Sequence, residues 1–153
     1  MVDQPARDEF PGAVLFACNL NAVRSPMAAA LMRHLLGHKV FVASAGVRAG
    51  EVDPFAVAAL DEIGIDISGH EPVSFDDLHD TLFDVVVSLT PEAQHKAVEM
   101  TRTMAVEVEY WPTHDPTLAS GSRDQILEAY RTVRDDLLAR IKRRFDVRPG
   151  PQV

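Results

Sequence analysis

Short apolar runs alternate with segments of helical periodicity along this chain. The apolar runs predict four strands, at residues 13–17, 40–43, 83–89 and 106–110. The segments between and after them predict four helices, at residues 25–37, 53–64, 91–104 and about 123–145. Strands that alternate with helices require crossover connections, which favour parallel pairing. We therefore predict an α/β fold: an open four-stranded parallel sheet with helices on both faces, in a Rossmann-like three-layer arrangement.

The first predicted helix has clear sequence signals at both ends. Ser25 is expected to be its N-cap, Pro26 its first helical residue, and Gly37 the residue that follows its last turn. These signals leave a short segment without periodicity, residues 18–24, between the first strand and the first helix.

The length and the charge narrow both the architecture and the possible functions. A chain of 153 residues is the size of one globular domain. We expect that domain at residues 12–146, between a flexible N-terminal arm of residues 1–11 and a flexible C-terminal tail of residues 147–153. The formal net charge of −8 argues against binding to nucleic acid and to an anionic membrane surface. The chain has no apolar run long enough to span a membrane, so we expect a cytoplasmic protein.

The single cysteine excludes an internal disulfide and a Cys-rich zinc site. The six histidines are scattered, and no pair of them has a convincing third ligand. We therefore predict neither a metal site nor a cofactor.

That cysteine, Cys18, comes directly after the first predicted strand, where the turn into a helix often binds phosphate. It is followed by five residues, then Arg24, then Ser25. Backbone N–H groups in such a loop can surround an anion, and the Arg24 guanidinium can hold two oxygens of a tetrahedral oxyanion. A cation at a helix N-terminus opposes the helix dipole, and a bound anion would remove that conflict. The same donors favour a thiolate at Cys18, which predicts a nucleophile.

These residues resemble the low-molecular-weight protein tyrosine phosphatase family, whose loop is Cys, five residues, Arg, then Ser or Thr. The resemblance continues at Ser44-Ala45-Gly46, at residues 64–70 and at Asp115-Pro116, and it runs in order from about residue 13 to about residue 145. A bare Cys-x5-Arg pattern is a weak signal, whereas this ordered set is specific.

The resemblance implies the fold of that family and a phosphatase that acts through a phosphocysteine. Cys18 would attack phosphorus, Arg24 would hold the equatorial oxygens, and Asp115 would protonate the leaving oxygen and then activate water. The implied substrate is a phosphorylated protein or a small phosphomonoester, with inorganic phosphate or another oxyanion as a ligand. The implied substrate-binding and loop-supporting residues are Asn19, Leu20, Asn21, Ala22, Val23, Ser25 and Ser44. Among these, Asn21 and Ser44 would hydrogen-bond each other, and Ser25 would stabilise the thiolate.

Two departures from the family pattern bear on the substrate. Leu20 lies where the family usually has glycine, so its backbone must avoid a positive φ or tolerate strain. Residues 47–50 and 117–118 replace the aromatic residues that line the phosphotyrosine slot in the family. The sequence therefore predicts an intact oxyanion loop with a poorly built slot for an aryl ring.

Two alternatives to a phosphatase stay open. One is an arsenate reductase that draws electrons from an external thiol, since a single cysteine cannot support an internal disulfide relay. The other is a phosphate-binding or signalling module with weak or lost turnover.

Overall fold

The computed structural model describes residues 10–78 and 82–145. Its strands are β1 Ala13–Cys18, β2 Phe41–Gly46, β3 Val85–Ser88 and β4 Glu107–Tyr110. Its α-helices are α1 Arg24–Leu36, α2 Pro54–Asp61, α3 Pro91–Met100 and α4 Arg123–Arg144, and short 3-10 helices lie at Phe75–Asp77 and Pro116–Leu118. The predicted tail and all but the last two residues of the predicted arm lie outside the described residues.

The four strands form one parallel sheet in the order β2-β1-β3-β4, which confirms the predicted α/β fold. β1 is central, and all of its residues are buried. Val14 and Phe16 pack in the core beneath α1 and α4, whereas Leu15 and Ala17 pack with α3 on the opposite face. Because helices cover both faces, the central strands are continuous apolar runs without polar alternation.

α1 begins two residues earlier than predicted, at Arg24 instead of Pro26, and without the predicted cap. Val23 is the N-cap residue, and no side chain bonds the N–H groups of the first turn. Ser25 lies inside that turn, where its hydroxyl contacts Cys18 and Asn21. The prediction that Ser25 caps the helix was wrong because this hydroxyl is used within the preceding loop. The first-turn N–H groups are thereby left without a side-chain acceptor.

Other boundaries also differ from the periodicity: α2 ends at Asp61 instead of residue 64, and β3 covers Val85–Ser88 instead of residues 83–89. α3 ends at Met100 instead of residue 104, in a turn over residues 101–103. β2 continues to Gly46 because Ser44, Ala45 and Gly46 pair in register with the last residues of β1. These small residues carry no apolar pattern, so the sequence alone predicted a shorter strand.

α4 is a long amphipathic helix that packs on α1 and α2. Ser122 and Gln125 form a reciprocal capping box at its start, and Arg134 reaches Glu62 and the carbonyl of Ala59 beside α2. Within residues 10–78 and 82–145, no helix combines the length and the apolar character needed to cross a membrane.

The parallel strands bring their carboxyl ends to one edge of the sheet. β1 ends there at Cys18, β2 at Gly46, and β4 at Tyr110, a few residues before Asp115. The loop that follows β1 therefore faces the loops after β2 and β4, which is where ligands bind in open parallel sheets.

Asp53 connects the loop after β1 to helices α2 and α4 by hydrogen bonds. Its N–H donates to the carbonyl of Ala22 at 3.1 Å, and its carboxylate caps α2 by accepting from the Phe55 N–H at 2.7 Å. The other carboxylate oxygen accepts from the hydroxyl of Tyr130, a buried residue of α4, at 2.7 Å. Burial and the neighbouring Asp53 carboxylate raise the pKa of Tyr130, so the phenol stays a donor at neutral pH.

Replacing Tyr130 with phenylalanine should lower the free energy of unfolding by about 1–2 kcal/mol, because Asp53 loses a buried donor while the ring packing is kept. Urea denaturation followed by circular dichroism measures this change. The control is Tyr110→Phe, which removes a hydroxyl from a more exposed ring and should alter the free energy of unfolding by less than about 0.5 kcal/mol. Equal effects of the two variants would contradict the assigned contact.

Candidate active site

The loop of residues 19–23 is hydrogen-bonded along its outer side to the segment that follows β2. The carbonyls of Cys18 and of three loop residues accept hydrogen bonds of 2.8–3.1 Å from backbone N–H groups. The acceptor and donor pairs are Cys18 and Val47, Asn19 and Arg48, Leu20 and Gly50, and Ala22 and Asp53. Among the described residues, the N–H groups of residues 19–23 find no acceptor. The loop thus directs carbonyls outward and keeps its N–H groups for a ligand.

Gly46 allows this close approach of β2 to the loop. A Cβ built at this position would lie 2.7 Å from the nitrogen of Asn21 and 2.5 Å from the carbonyl oxygen of Arg48. Both are backbone atoms that cannot swing aside. A side chain at Gly46 would therefore push the loop away from the sheet.

The loop turns sharply at Asn21, which has a φ of 54°. Among the described residues other than glycine, Asn21 alone adopts a positive φ, so Leu20 avoids the strain considered from the sequence. Asparagine tolerates the left-handed region better than most residues. The sharp turn is therefore located one residue after the position at which the family pattern had suggested glycine.

The Asn21 side chain is fully buried, and its hydrogen bonds fix the direction of its amide. Oδ1 accepts from the N–H of Val73 at 3.0 Å, and a backbone N–H can only donate. Nδ2 must then be the donor to the hydroxyls of Ser44 at 2.8 Å and Ser25 at 2.9 Å. His70 Nε2 lies 3.0 Å from the Asn21 carbonyl oxygen and 3.1 Å from Oδ1. Both of these atoms are acceptors, so Nε2 carries the proton.

The orientation of Asn21 determines what Ser25 offers to Cys18. Ser25 Oγ lies 2.9 Å from the sulfur of Cys18 and 3.3 Å from the carbonyl oxygen of Ala45. Because Ser25 accepts from Asn21, its single hydroxyl proton is available for one of these two acceptors, and the sulfur is closer. Cys18 is only 2% exposed. The sulfur therefore forms the floor of the loop and faces a hydroxyl donor.

Arg24 bridges the loop to the segment after β4. Its Nη1 donates to the carbonyl of Thr113 at 3.0 Å, and its Nη2 lies 3.9 Å from Oδ2 of Asp115. Arg24 is the first residue of α1, so these two partners compensate a cation that opposes the helix dipole.

Asp115 caps the short helix Pro116–Leu118. Its Oδ1 accepts from the hydroxyl of Thr117 at 2.7 Å and from the N–H of Thr117 at 3.0 Å. Burial raises the pKa of Asp115, but the hydrogen bonds from Thr117 and the charges of Arg24 and His114 outweigh it and hold this pKa below its usual value. The carboxyl is therefore ionised at neutral pH.

A cavity of about 180 Å³ opens above the sulfur of Cys18. No aromatic ring lines it, in agreement with the missing wall residues noted in the sequence. Larger hollows lie between α1 and residues 64–70 and between α4 and residues 111–114, and neither is lined by Cys18. The residues that line the cavity above Cys18 are Cys18, Asn19, Leu20, Ala22, Val23, Arg24, Arg48, Asp115 and Thr117.

The structure brings all the sequence-predicted site residues to this edge of the sheet. Cys18, Arg24 and Asp115 line the cavity, and the pairs Asn21–Ser44 and Ser25–Cys18 are within hydrogen-bond distance. The described residues contain no group of three or more candidate metal ligands.

Sequence reasoning missed three contributors to the site. His70 was part of the family-like segment but had no assigned function, and no function was assigned to Thr113 or Thr117 either. Thr117 could have been found, because a threonine two residues after an aspartate often bonds back to it. Thr113 contributes only its carbonyl, which carries no residue-specific signal.

Comparisons with known proteins agree with the sequence resemblance. The model of the family described as low molecular weight phosphotyrosine protein phosphatase matches residues 13–145. An arsenate reductase of Shouchella clausii is 35% identical over 132 residues, which cover 85% of this chain and 92% of that protein. The glutaredoxin arsenate reductase of a Synechocystis species is 33% identical and covers 84% of this chain and 92% of its own length.

Two solved structures are similar along nearly their whole length. An arsenate reductase in the phosphate binding state is 30% identical with a TM-score of 0.68, and the match covers 89% of this chain and 98% of that one. The YwlE arginine phosphatase, from Bacillus subtilis, is 25% identical with a TM-score of 0.72, and the match covers 88% of this chain and 93% of that one. The fold is therefore shared with both kinds of enzyme.

The effect of the left-handed backbone of Asn21 on stability can be measured separately from the effect of its side-chain hydrogen bonds. Asn21→Gly should lower the free energy of unfolding by about 2–3 kcal/mol through the lost hydrogen bonds. Asn21→Ala should lower it by about 1 kcal/mol more, because alanine also resists the positive φ. Urea denaturation of both variants measures the difference.

Asn19 supplies a matched control, since it lies in the same loop with a negative φ. Here the order should reverse, with Asn19→Gly less stable than Asn19→Ala by about 0.5–1 kcal/mol. The assigned strain would be contradicted by the same order of stability at both positions.

The half-buried His70 should make stability depend on pH. Burial and the nearby charge of Arg33 lower the pKa of His70, against the opposing effect of its hydrogen bond to the Asn21 carbonyl. The unfolded chain then binds a proton more readily than the folded one, so stability is lost as the pH falls below about 6.5. Urea denaturation at pH 7.5 and 5.5 should show a smaller loss in His70→Gln than in the wild type.

We expect this difference to be below about 1 kcal/mol, because solvent screens a half-buried charge. His95→Gln is the control, because the side chain of His95 is 81% exposed, and it should lose as much stability as the wild type over the same interval. A His70→Gln variant that loses as much as the wild type would rule out the titration of His70 as a contributor.

Proposed function

Since this chain belongs to the low molecular weight phosphotyrosine protein phosphatase family, we propose that it is an arsenate reductase that draws electrons from an external thiol. The observation that carries the proposal is the cavity above Cys18, which combines free N–H donors, a guanidinium and a thiol without any aromatic wall. The names of the curated relatives support arsenate over a phosphomonoester. This reverses the order in which the sequence alone ranked the two reactions.

The cavity fits a small tetrahedral oxyanion better than an aryl ester. Its volume is about 180 Å³, and Leu20, Arg48 and Thr117 line it together with the oxyanion loop. N–H groups of the loop and the fork of Arg24 can hold the equatorial oxygens of arsenate, with arsenic above the sulfur of Cys18.

In the first step, the thiolate of Cys18 attacks arsenic and forms a sulfur–arsenic bond. The oxygen opposite the sulfur leaves as water, with one proton delivered by Asp115, which must first take up that proton. Arsenic stays pentavalent at this stage. Asp115 lies on the correct side of the cavity, since its Oδ2 is 3.9 Å from Arg24.

In the second step, an external thiol enters where the water left. Cys18 is only 2% exposed at the floor, so the incoming thiol meets arsenic and not the buried sulfur. Asp115 accepts the thiol proton, a new sulfur–arsenic bond forms, and Cys18 leaves as a thiolate. A second thiol then attacks the sulfur of this adduct. The electron pair of the sulfur–arsenic bond passes to arsenic, giving arsenite and a disulfide of the two external thiols.

The single cysteine makes the external thiol a requirement of this proposal. The chain contains no second cysteine that could form a disulfide with Cys18. Two molecules of a low-molecular-weight thiol supply the two electrons instead. We place the protein in the cytoplasm, where such thiols are kept reduced.

A phosphomonoester hydrolase is the second candidate, favoured by the contact of Asp115 with Arg24 and by the similarity to an arginine phosphatase. The first step would be the same attack, now on phosphorus: the bond to the ester oxygen breaks, the alcohol leaves with a proton from Asp115, and a phosphocysteine is the product. Water would replace the thiol in the second step, activated by Asp115. The two reactions therefore differ in the central atom, in the leaving group and in the second nucleophile.

Arsenite formation from arsenate with excess glutathione or mycothiol should require Cys18 and depend on Asp115. Cys18→Ser should reduce the rate to the background level, and Asp115→Asn should reduce it about 10²–10³-fold, because proton transfer at this position is lost. Asp124→Asn changes an exposed carboxylate of α4 and should leave the rate unchanged. Hydrolysis of phenyl phosphate is measured in parallel with the same variants.

Arsenate reduction that is equally fast in the wild type and in Cys18→Ser would refute the leading proposal. Cys18-dependent hydrolysis without arsenate reduction would favour the phosphatase. Neither activity, combined with phosphate binding detected by calorimetry, would favour an oxyanion-binding module.

A further inference from the structure

The two oxygens of the Asp115 carboxylate have different surroundings. Oδ1 accepts two hydrogen bonds from Thr117, one from the hydroxyl at 2.7 Å and one from the N–H at 3.0 Å. Oδ2 lies 3.9 Å from Nη2 of Arg24, and both Asp115 and Arg24 line the cavity. A proton can therefore be exchanged with a ligand at Oδ2 without breaking either bond to Thr117.

The backbone hydrogen bond to Asp115 does not require a threonine at position 117. The N–H of Thr117 would bond to Asp115 with almost any side chain, because it belongs to the cap of the short helix Pro116–Leu118. The hydroxyl adds a second, shorter bond to the same oxygen. The side chain of Thr117 also lines the cavity, so it acts where the proton is transferred.

We propose that Thr117 is a positioning residue that anchors Oδ1 of Asp115, so that Oδ2 alone carries the transferred proton and the carboxylate is favoured over the acid. This inference rests on the proposed function, since it assigns Asp115 the proton transfers of that reaction. Thr117 thereby sets how readily Asp115 acts as an acid compared with a base.

The groups that face Asp115 support this assignment. Arg24 of α1 and the neighbouring His114 place positive charge near Asp115. Arg48 and Cys18 line the same cavity as Asp115. The charge of Asp115 also contributes to the raised pKa of Tyr130, whose hydroxyl donates to Asp53. Burial raises the pKa of Asp115, and the hydrogen bonds from Thr117 are the largest of the opposing effects, ahead of the charges of Arg24 and His114.

The effect of Thr117 on the rate should depend on how basic the leaving group is. An ionised Asp115 is ready to accept a proton from a thiol or from water, but it must gain a proton before it can donate one. Substrates whose leaving oxygen is strongly basic should therefore be slowed by Thr117, and substrates with a stable leaving anion should be affected little.

The test compares Thr117→Val, which keeps the volume and the N–H but removes the hydroxyl, with Thr117→Ser, which restores a hydroxyl. The carboxyl carbon of Asp115 is titrated by ¹³C nuclear magnetic resonance and assigned by its absence in Asp115→Asn. We expect the pKa of Asp115 to rise in Thr117→Val and to return toward the wild-type value in Thr117→Ser. Thr101→Val, an exposed threonine outside the site, should leave it unchanged.

The kinetic test uses phenyl phosphate and 4-nitrophenyl phosphate over a range of pH. A higher pKa leaves more Asp115 protonated above the pH optimum. There, kcat for phenyl phosphate should be about threefold higher in Thr117→Val than in the wild type, with a smaller change for 4-nitrophenyl phosphate. A purely structural role would lower both rates equally at every pH.

The inference would be overturned if the pKa of Asp115 did not change in Thr117→Val. It would also be overturned if this pKa rose as much in Thr117→Ser as in Thr117→Val. The titration does not depend on turnover, so the two proposals can fail separately. A shift with rescue by serine in a protein that turns over neither arsenate nor phosphate esters would support the positioning by Thr117 and would refute the proposed function.

Discussion

The direction of the Asn21 side-chain amide is the constraint on which the site depends. The N–H of Val73 can only donate, so it fixes which end of the amide is oxygen, and the NH₂ group must then face Ser44 and Ser25. Ser25 accepts that hydrogen bond and keeps its own proton for the sulfur of Cys18. The backbone of Asn21 adopts the left-handed conformation at the same point and so produces the sharp turn of the loop. One buried residue therefore links the shape of the loop to the donor that faces the thiol.

The sequence predicted the sheet, the helices on both faces and the position of the loop because each has a local signal. Apolar runs mark the strands, and Asp53 caps α2 where the sequence predicted that a helix begins. The cap of α1 was mispredicted because a serine before a helix can bond either to the helix or to the preceding loop. The local pattern is the same in both cases. His70 lies 49 residues from Asn21, and its contact depends on packing that no local pattern contains.

The charges at the cavity are compatible with the proposed anionic substrate, although the whole chain is acidic. The net charge is −8, yet the cavity is lined by Arg24 and Arg48, and the N–H groups of residues 19–23 add their dipoles. Arg24 also faces Asp115, so in the proposed reaction a bound oxyanion competes with this carboxylate for the guanidinium. A dianion near Asp115 disfavours its ionised form. Oxyanion binding and proton uptake by Asp115 are therefore linked, which is how a carboxyl of lowered pKa can serve as an acid in the first step.

The same geometry suits two reactions because the oxygen opposite Cys18 both leaves and is replaced on the open side of the cavity. Water in that position completes a hydrolysis, whereas a thiol produces a sulfur–arsenic adduct that a second thiol reduces. In the proposed reaction, the burial of Cys18 favours attack of the external thiols on the bound arsenic and not on the protein sulfur, which is therefore never oxidised. A second cysteine would be needed only if the electrons passed through the protein. In the proposed reaction both electrons come from external thiols, so Cys18 needs no second cysteine as a partner.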